Sequence, residues 1–355
     1  MRALRAVHGG LDAGELRSLG LAREEVLDFS ANINPLGPSP QVERAAVEAD
    51  LASYPDRESL ALREALASRL RVETGSVLVG NGSTELIHLI GRALLGPGRR
   101  CLLFTPTFGE YEAAAVAAKA EIHRLRSTEA RGFRPSLAAA CETIDTLRPQ
   151  LTFLCNPNNP TGVYLGRREV ERIAAAVGSG GLLVIDDAYA GLADSPWDTA
   201  PLLPSENVAI LRSMTKDHAL AGIRLGYMVA QPEVVAAAAA LQHAWSVNAV
   251  AQSAGVAALD DDAHVEAARR VVGDSRAYLV GELSRLGLAV VPSSANFLLV
   301  RVGRAAAVRS ALLSRGVAVR DCTSFGLPDH IRIGVRRRDE CRRLVEALEE
   351  ILPGG

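Results

Sequence analysis

The chain has 355 residues, more than a single core usually fills, so two domains or one large α/β domain with a lobe are expected. Its 48% hydrophobic and 23% charged content is that of an ordinary globular protein, and a formal net charge of −2 argues against a nucleic-acid partner. Five scattered cysteines without a C-x-x-C pair, and seven histidines without ligand spacing, argue against a disulfide frame or a metal site and for a reducing compartment.

In chain order, residues 1–45 are rich in Gly and Pro ("HGG", "NINPLGPSP") and read as an N-terminal arm laid against the rest. "MRALRAVHGG" lacks the apolar core of a signal peptide, and the longest apolar run, "VVAAAAAL", is too short to cross a bilayer. A cytoplasmic protein with no membrane partner is expected. From 46 to 232, short apolar runs alternate with helical patterns. The strand candidates are "SVLVG" (76–80), "CLLFT" (101–105), "LTFLC" (151–155), "LLVID" (182–186), "VAILR" (208–212) and "GYMVA" (226–230). Most lack polar alternation, as strands buried on both faces of a mostly parallel sheet do. "STELIHLIGRALL", "FGEYEAAAVAAKA" and "RREVERIAAAV" supply helices between them, the α/β pattern. From 233 to 355 the texture changes. Helical stretches Glu233–Leu259 and Ala263–Leu286, strand candidates "ANFLLVR" (295–301) and "VAVRD" (317–321), and a last helix describe a smaller α+β C-terminal domain.

Chemistry concentrates where these strands end, which is where open α/β sheets bind ligands. The chain has only two lysines, Lys119 in an Ala-rich stretch read as helical and Lys216 in "RSMTKDHALAGIRLGY". Arginine replaces lysine where a charge suffices, but not where a deprotonated amine must attack a carbonyl. "GNGSTE" (80–85) places Ser83 and Thr84 at a helix N-terminus, a phosphate cradle that is neither a dinucleotide fingerprint nor a Walker loop. "NPNNPTG" (156–162) fixes a loop from which Asn159 points, and Asp186 in "IDDAYAGL" ends a buried strand, where a carboxylate needs a cation or donor. Ser213 and Arg224 flank Lys216 and can grip a phosphate. An amine for an aldehyde, a phosphate cradle and an anion for a basic ring nitrogen together fit pyridoxal 5′-phosphate.

With these motifs in view, the sequence resembles the fold-type I pyridoxal-phosphate enzymes of the class I/II aminotransferase family. "YPD", "GNGSTE", "PTF–EY", "NPNNPTG", "DDAY", "SMTK" and "AGIRLGY" occur in family order over nearly the whole chain. The resemblance implies that Lys216 is the Schiff-base lysine and Asp186 the partner of the ring nitrogen. It implies that Tyr189 and Asn159 bond the 3′-oxygen, that Phe108 stacks on the ring, and that Ser83, Thr84, Ser213 and Arg224 hold the phosphate. Tyr54 would reach that phosphate from the neighbouring subunit, implying a homodimer with shared sites.

Two subfamilies share further motifs. "NPLGPSP", "GNGS–ELI" and "AGIRLGY" resemble histidinol-phosphate aminotransferases. "HGG", "LDFSANINPLG", "WSVNA" and "VRDC" followed by "HIRI" resemble threonine-phosphate decarboxylases of cobalamin biosynthesis. Either implies a phosphorylated amino acid or amino alcohol as substrate. Arg320, with His8, Gly9 and Asn32, would take its phosphate, and Arg332 its carboxylate, or phosphate in the aminotransferase. On the "HGG" motif, decarboxylation of L-threonine O-3-phosphate is the leading expectation and histidinol-phosphate transamination the alternative. "KDHALAG" departs from both by placing Asp217 and His218 after the lysine.

Overall fold

The computed structural model describes residues 7–352; the first six residues of the expected arm and the last three of the chain lie outside the described residues. Strand β1 (Leu27–Asp28) belongs to the N-terminal segment. The next seven strands are β2 (Val77–Asn81), β3 (Arg100–Thr105), β4 (Glu121–Arg126), β5 (Leu151–Cys155), β6 (Leu182–Asp186), β7 (Val208–Arg212) and β8 (Leu225–Val229). They form one sheet in the order β2-β8-β7-β6-β5-β3-β4. Only β8 runs antiparallel to its neighbours.

The unbroken apolar runs follow from burial on both faces. In β3, Leu102 and Phe104 pack with Leu62, Ile144 and Ile173 from helices Leu60–Leu70, Leu137–Leu147 and Arg167–Val177. Cys101 and Leu103 face the other way, towards Ile87 and Ala114 from helices Gly82–Leu94 and Gly109–Ala117. Period-two alternation thus sends successive apolar side chains into two separate cores. The edge strand β4, "EIHRLR", was not among the expected strands. It is half-exposed and polar, so it carries no buried-strand signal.

A second, antiparallel sheet has the order β12-β13-β10-β9, from β9 (Ala289–Val290), β10 (Phe297–Arg301), β12 (Arg320–Asp321) and β13 (His330–Gly334). Helices Asp262–Arg285, Ala305–Leu313 and Arg338–Ile351 cover it. "VAVRD" is two strands, not one. Its first half, β11 (Val317–Ala318), pairs parallel with β1, while β12 pairs with β13. The stretch expected as one helix from Glu233 is two, Pro232–Ala239 and Ala249–Ala258. They are separated where Trp245 takes a positive φ of 58° and the Asn248 side chain caps the second through the Ala251 N–H at 2.8 Å. Lys119 lies past its helix, which ends at Ala117, with φ 58°.

The N-terminal segment links the two sheets. The Phe29 N–H donates to the Ala318 carbonyl (2.8 Å), and its own carbonyl accepts from the Gly334 N–H (2.7 Å). Five residues later the Asn34 N–H donates to the carbonyl of Lys216 at 2.9 Å, and the Asn34 side-chain amide donates to that of Asp217 at 2.8 Å.

Candidate active site

A cavity of about 580 Å³ opens where the carboxyl ends of β2, β6 and β7 face the arginine-bearing strands β12 and β13. Because β8 runs backwards, its preceding residue, Arg224, arrives at this same edge. All the expected site residues but one line the cavity: His8, Gly9, Asn32, Ser83, Thr84, Phe108, Asn159, Asp186, Tyr189, Ser213, Lys216, Arg224, Arg320 and Arg332. Tyr54 does not. It is exposed and stacks on Trp245 at 4.6 Å.

The anion cradle is built at the N-terminus of helix Gly82–Leu94, where backbone N–H groups lack intrahelical partners. Gly82 takes φ 73°, and a Cβ there would stand 2.6 Å from Nη2 of Arg224, so the guanidinium lies directly against the helix start. The Ser213 and Thr215 hydroxyls lie 2.7 Å apart beside it.

Asp186 ends β6 and is buried. Desolvation raises its pKa above the ordinary carboxylate value, against hydrogen bonds from the Tyr111 hydroxyl (2.6 Å) and the Ala188 N–H (3.1 Å) and the charge of Lys216. Tyr111 is itself fully buried, stacked on Phe153 at 4.8 Å. It stood in the "PTF–EY" motif without an assigned role, and only the fold aims it at Asp186. Burial, then the positive charges of Arg332 and Arg224, bring the Lys216 amine down to about 8. Burial likewise pushes the Tyr189 phenol up to about 12. The Asn159 amide reaches the Tyr189 hydroxyl at 3.5 Å, the limit of a hydrogen bond.

The opposite wall carries charge of one sign. Arg320 and Arg332 are direct cross-strand partners, an arrangement that is destabilising for like charges. Burial and then the charge of Arg332 lower the pKa of Arg320. Arg332 donates to Asn159 Oδ1 and to the Ser30 carbonyl, both at 2.6 Å. Arg320 donates to the Val7 carbonyl (2.9 Å) and the Ser324 hydroxyl (2.6 Å). Among these described contacts there is no carboxylate. Among the described residues neither amide atom of the buried Asn32 makes a hydrogen bond of normal length, and the group lies near the Tyr189 phenol. Asp217 and His218 stand apart, lining a neighbouring cavity behind the lysine turn.

Comparison with known proteins agrees with this geometry. The chain belongs to the aminotransferase class I and II family, whose model matches residues 24–348. It is therefore a pyridoxal-phosphate-dependent enzyme of fold type I. A histidinol-phosphate aminotransferase from Symbiobacterium thermophilum is 40% identical over 343 residues, spanning 96% of this chain and 93% of its own. The histidinol-phosphate aminotransferase of Sinorhizobium meliloti, solved in complex with pyridoxal 5′-phosphate, shares the fold with a TM-score of 0.85 at 24% identity, over 96% of this chain and 95% of its own. An L-threonine-O-3-phosphate decarboxylase from Porphyromonas gingivalis aligns with a TM-score of 0.80 at 28% identity, over 91% and 98% of the two chains.

These relatives correct the leading expectation. Decarboxylation is overturned by the whole-length match at 40% identity to an aminotransferase, well above the 28% shared with the decarboxylase. Further relatives at 35–37% identity carry the aminotransferase name. The physical reason is that "HGG" sits by the arginine wall, where the phosphate common to both substrates would be met. It reports the anion, not the bond that breaks.

Proposed function

We propose that the protein is a pyridoxal-phosphate-dependent aminotransferase for a phosphorylated amino alcohol, of the histidinol-phosphate:2-oxoglutarate kind. The observation that carries this is the paired Arg320 and Arg332, which have no carboxylate partner among the described residues and face the cavity that holds Lys216. An anionic substrate group relieves their repulsion, and a bidentate arginine contact orients it.

The residues present fit the cofactor. Asp186 is a buried carboxylate that accepts one hydrogen bond at each oxygen and has a raised pKa, and a protonated ring nitrogen would complement it. The helix start at Gly82 with Arg224 offers the phosphate its donors. When bound, pyridoxal phosphate supplies an electron sink for the substrate carbon next to the amine. With the cofactor bound, Lys216 would hold it through its amine, Asp186 would pair with its ring nitrogen, Tyr189 and Asn159 would serve its 3′-oxygen, and Phe108 would lie against its ring. Ser83, Thr84, Ser213 and Arg224 take the cofactor phosphate, joined by Tyr54 from a second copy in a homodimer. Its exposed stacking position leaves Tyr54 free to do so.

An amine titrating at about 8 is divided between its charged and neutral forms near neutral pH. With the cofactor in place, the neutral Nζ of Lys216 would serve as the base that takes the proton from the substrate carbon bearing the amine. Arg320, His8, Gly9 and Asn32 hold the substrate phosphate, and Arg332 holds the carboxylate of the keto-acid partner or assists at the phosphate. Charge balance supports a chain without nucleic-acid partners, and among the described residues no helix is long and apolar enough to cross a membrane. Residues 1–45 act as the arm, 46–232 as the cofactor domain and 233–355 as the smaller domain, working in the cytoplasm.

The test supplies histidinol phosphate with 2-oxoglutarate, and threonine phosphate separately. Glutamate from the first and no CO₂ from the second is expected; CO₂ without glutamate would sink the proposal.

A further inference from the structure

One cluster of titratable side chains joins His8 to two residues with no assigned task, Glu110 and His88. Both oxygens of Glu110 are occupied by histidines: Oε1 meets Nε2 of His8 at 2.7 Å, and Oε2 meets Nε2 of His88 at 2.8 Å. Three elements converge there. Glu110 lies in helix Gly109–Ala117, directly after Phe108, and His88 lies in the cradle helix that begins with Ser83 and Thr84. His8 comes from the N-terminal segment, its ring 5.6 Å from that of Phe108.

The segment around His8 lies on the arginine wall. Gly9 is packed so closely that an added Cβ would stand 2.1 Å from the Ser30 carbonyl oxygen and 3.2 Å from Nη2 of Arg332. The Gly10 N–H donates to the Ser30 hydroxyl at 2.7 Å, and Arg320 donates to the Val7 carbonyl. The strap therefore crosses from the cofactor side, where Glu110 holds it, to the substrate side, where the arginines do.

We propose that Glu110 is a positioning residue that selects phosphorylated substrates by latching the Val7–Leu11 strap, through His8, across the mouth of the Lys216 cavity. This rests on the phosphorylated-substrate reading. Hydrogen bonds from His8 and His88 draw the Glu110 carboxyl down to about 2, so it is ionised and accepts only. Nε2 of His8 is therefore the donor to Glu110, and Nδ1 can donate to an anionic ligand only when the ring carries its second proton. The His8 side chain is 49% exposed, and an exposed ion pair by itself holds little. Here the carboxylate is 90% covered and already fixed by His88, so only one partner must be ordered. His88 does not line the cavity, so its influence on substrate passes through Glu110.

The experiment compares wild-type holoenzyme with Glu110→Ala and His88→Ala. Hydrogen exchange is read at the Gly9–Leu11 amides, and kcat/KM for histidinol phosphate against unphosphorylated histidinol. Glu110→Ala is expected to speed strap exchange and to cut the preference for the phosphorylated amine about tenfold, mainly through KM, the scale of one charged hydrogen bond. His88→Ala shifts both the same way by less, and serves if the buried-site variant fails to fold. Unchanged strap exchange, or faster exchange with unchanged preference, overturns the latch. If the wild type turns over neither amine, the functional reading fails alone. The latch is then judged with inorganic phosphate, which should slow the strap amides in the wild type but not in Glu110→Ala; equal slowing in both rejects it.

Discussion

The two walls of the cavity are built on opposite principles. On the large-sheet wall the polar groups are largely partnered: Asp186 by Tyr111 and Ala188, Ser213 by Thr215, and Arg224 against the helix start. On the small-sheet wall two arginines oppose one another across a strand pair, with no carboxylate paired to them among the described residues. The first wall is organised in advance for a group that stays. The second sets two like charges against one another, and in the proposed reading a substrate anion would relieve that repulsion.

Substitutions break this contrast from the strong side first. Lys216→Ala should abolish the absorbance band above 400 nm and lower turnover about 10⁴-fold, the upper range for loss of an acid–base group; retention of either would refute the assignment. Arg320→Ala should leave that band in place while raising KM for the phosphorylated substrate roughly 10- to 100-fold. A larger effect on cofactor retention than on KM would erase the distinction between the walls. Tyr111→Phe should work in the reverse sense. It strips a donor from a buried carboxylate, raising the Asp186 pKa further and weakening cofactor binding about tenfold, with KM for substrate little moved; cofactor titration of the apoprotein measures it.

The last effect is on the stability of the apoprotein. Lys216 titrates at about 8 in the folded apoprotein instead of its ordinary 10.5. Between these values the unfolded chain binds more protons, so stability rises with pH, by up to about 1.4 kcal/mol per pH unit. Below pH 8 the burden of a buried ammonium is present in full. Denaturation of the apoprotein across this window should show the slope, and Lys216→Met should remove it. Equal slopes would mean that the amine is hydrated and that the large-sheet wall is less enclosed than described.

How legible each wall was differs too. The six strands β2, β3, β5, β6, β7 and β8 could be read locally, because a doubly buried strand must be an unbroken apolar run. β4 escaped because an edge strand keeps polar side chains, and the division of "VAVRD" escaped because two partners claim its halves. Tyr111 and Glu110 stood in a quoted motif, yet nothing local tells a helix residue which buried group it will meet. The preference for decarboxylation failed for a related reason: sequence names the anion's ligands but not the torsion that selects a bond.

The sequence by itself determined the reactive groups and their order: one lysine at a strand-end turn, an aspartate closing a buried strand, a helix start beside them, and arginines near the end of the chain. Burial periodicity and residue chemistry act over a few positions, so a linear reading captures them. Tertiary structure alone decided that Arg320 faces Arg332, that Tyr111 meets Asp186 across 75 residues, and that His8 reaches Glu110 across 102. Those meetings depend on how crossover helices and the N-terminal strap pack, which is a property of the whole chain.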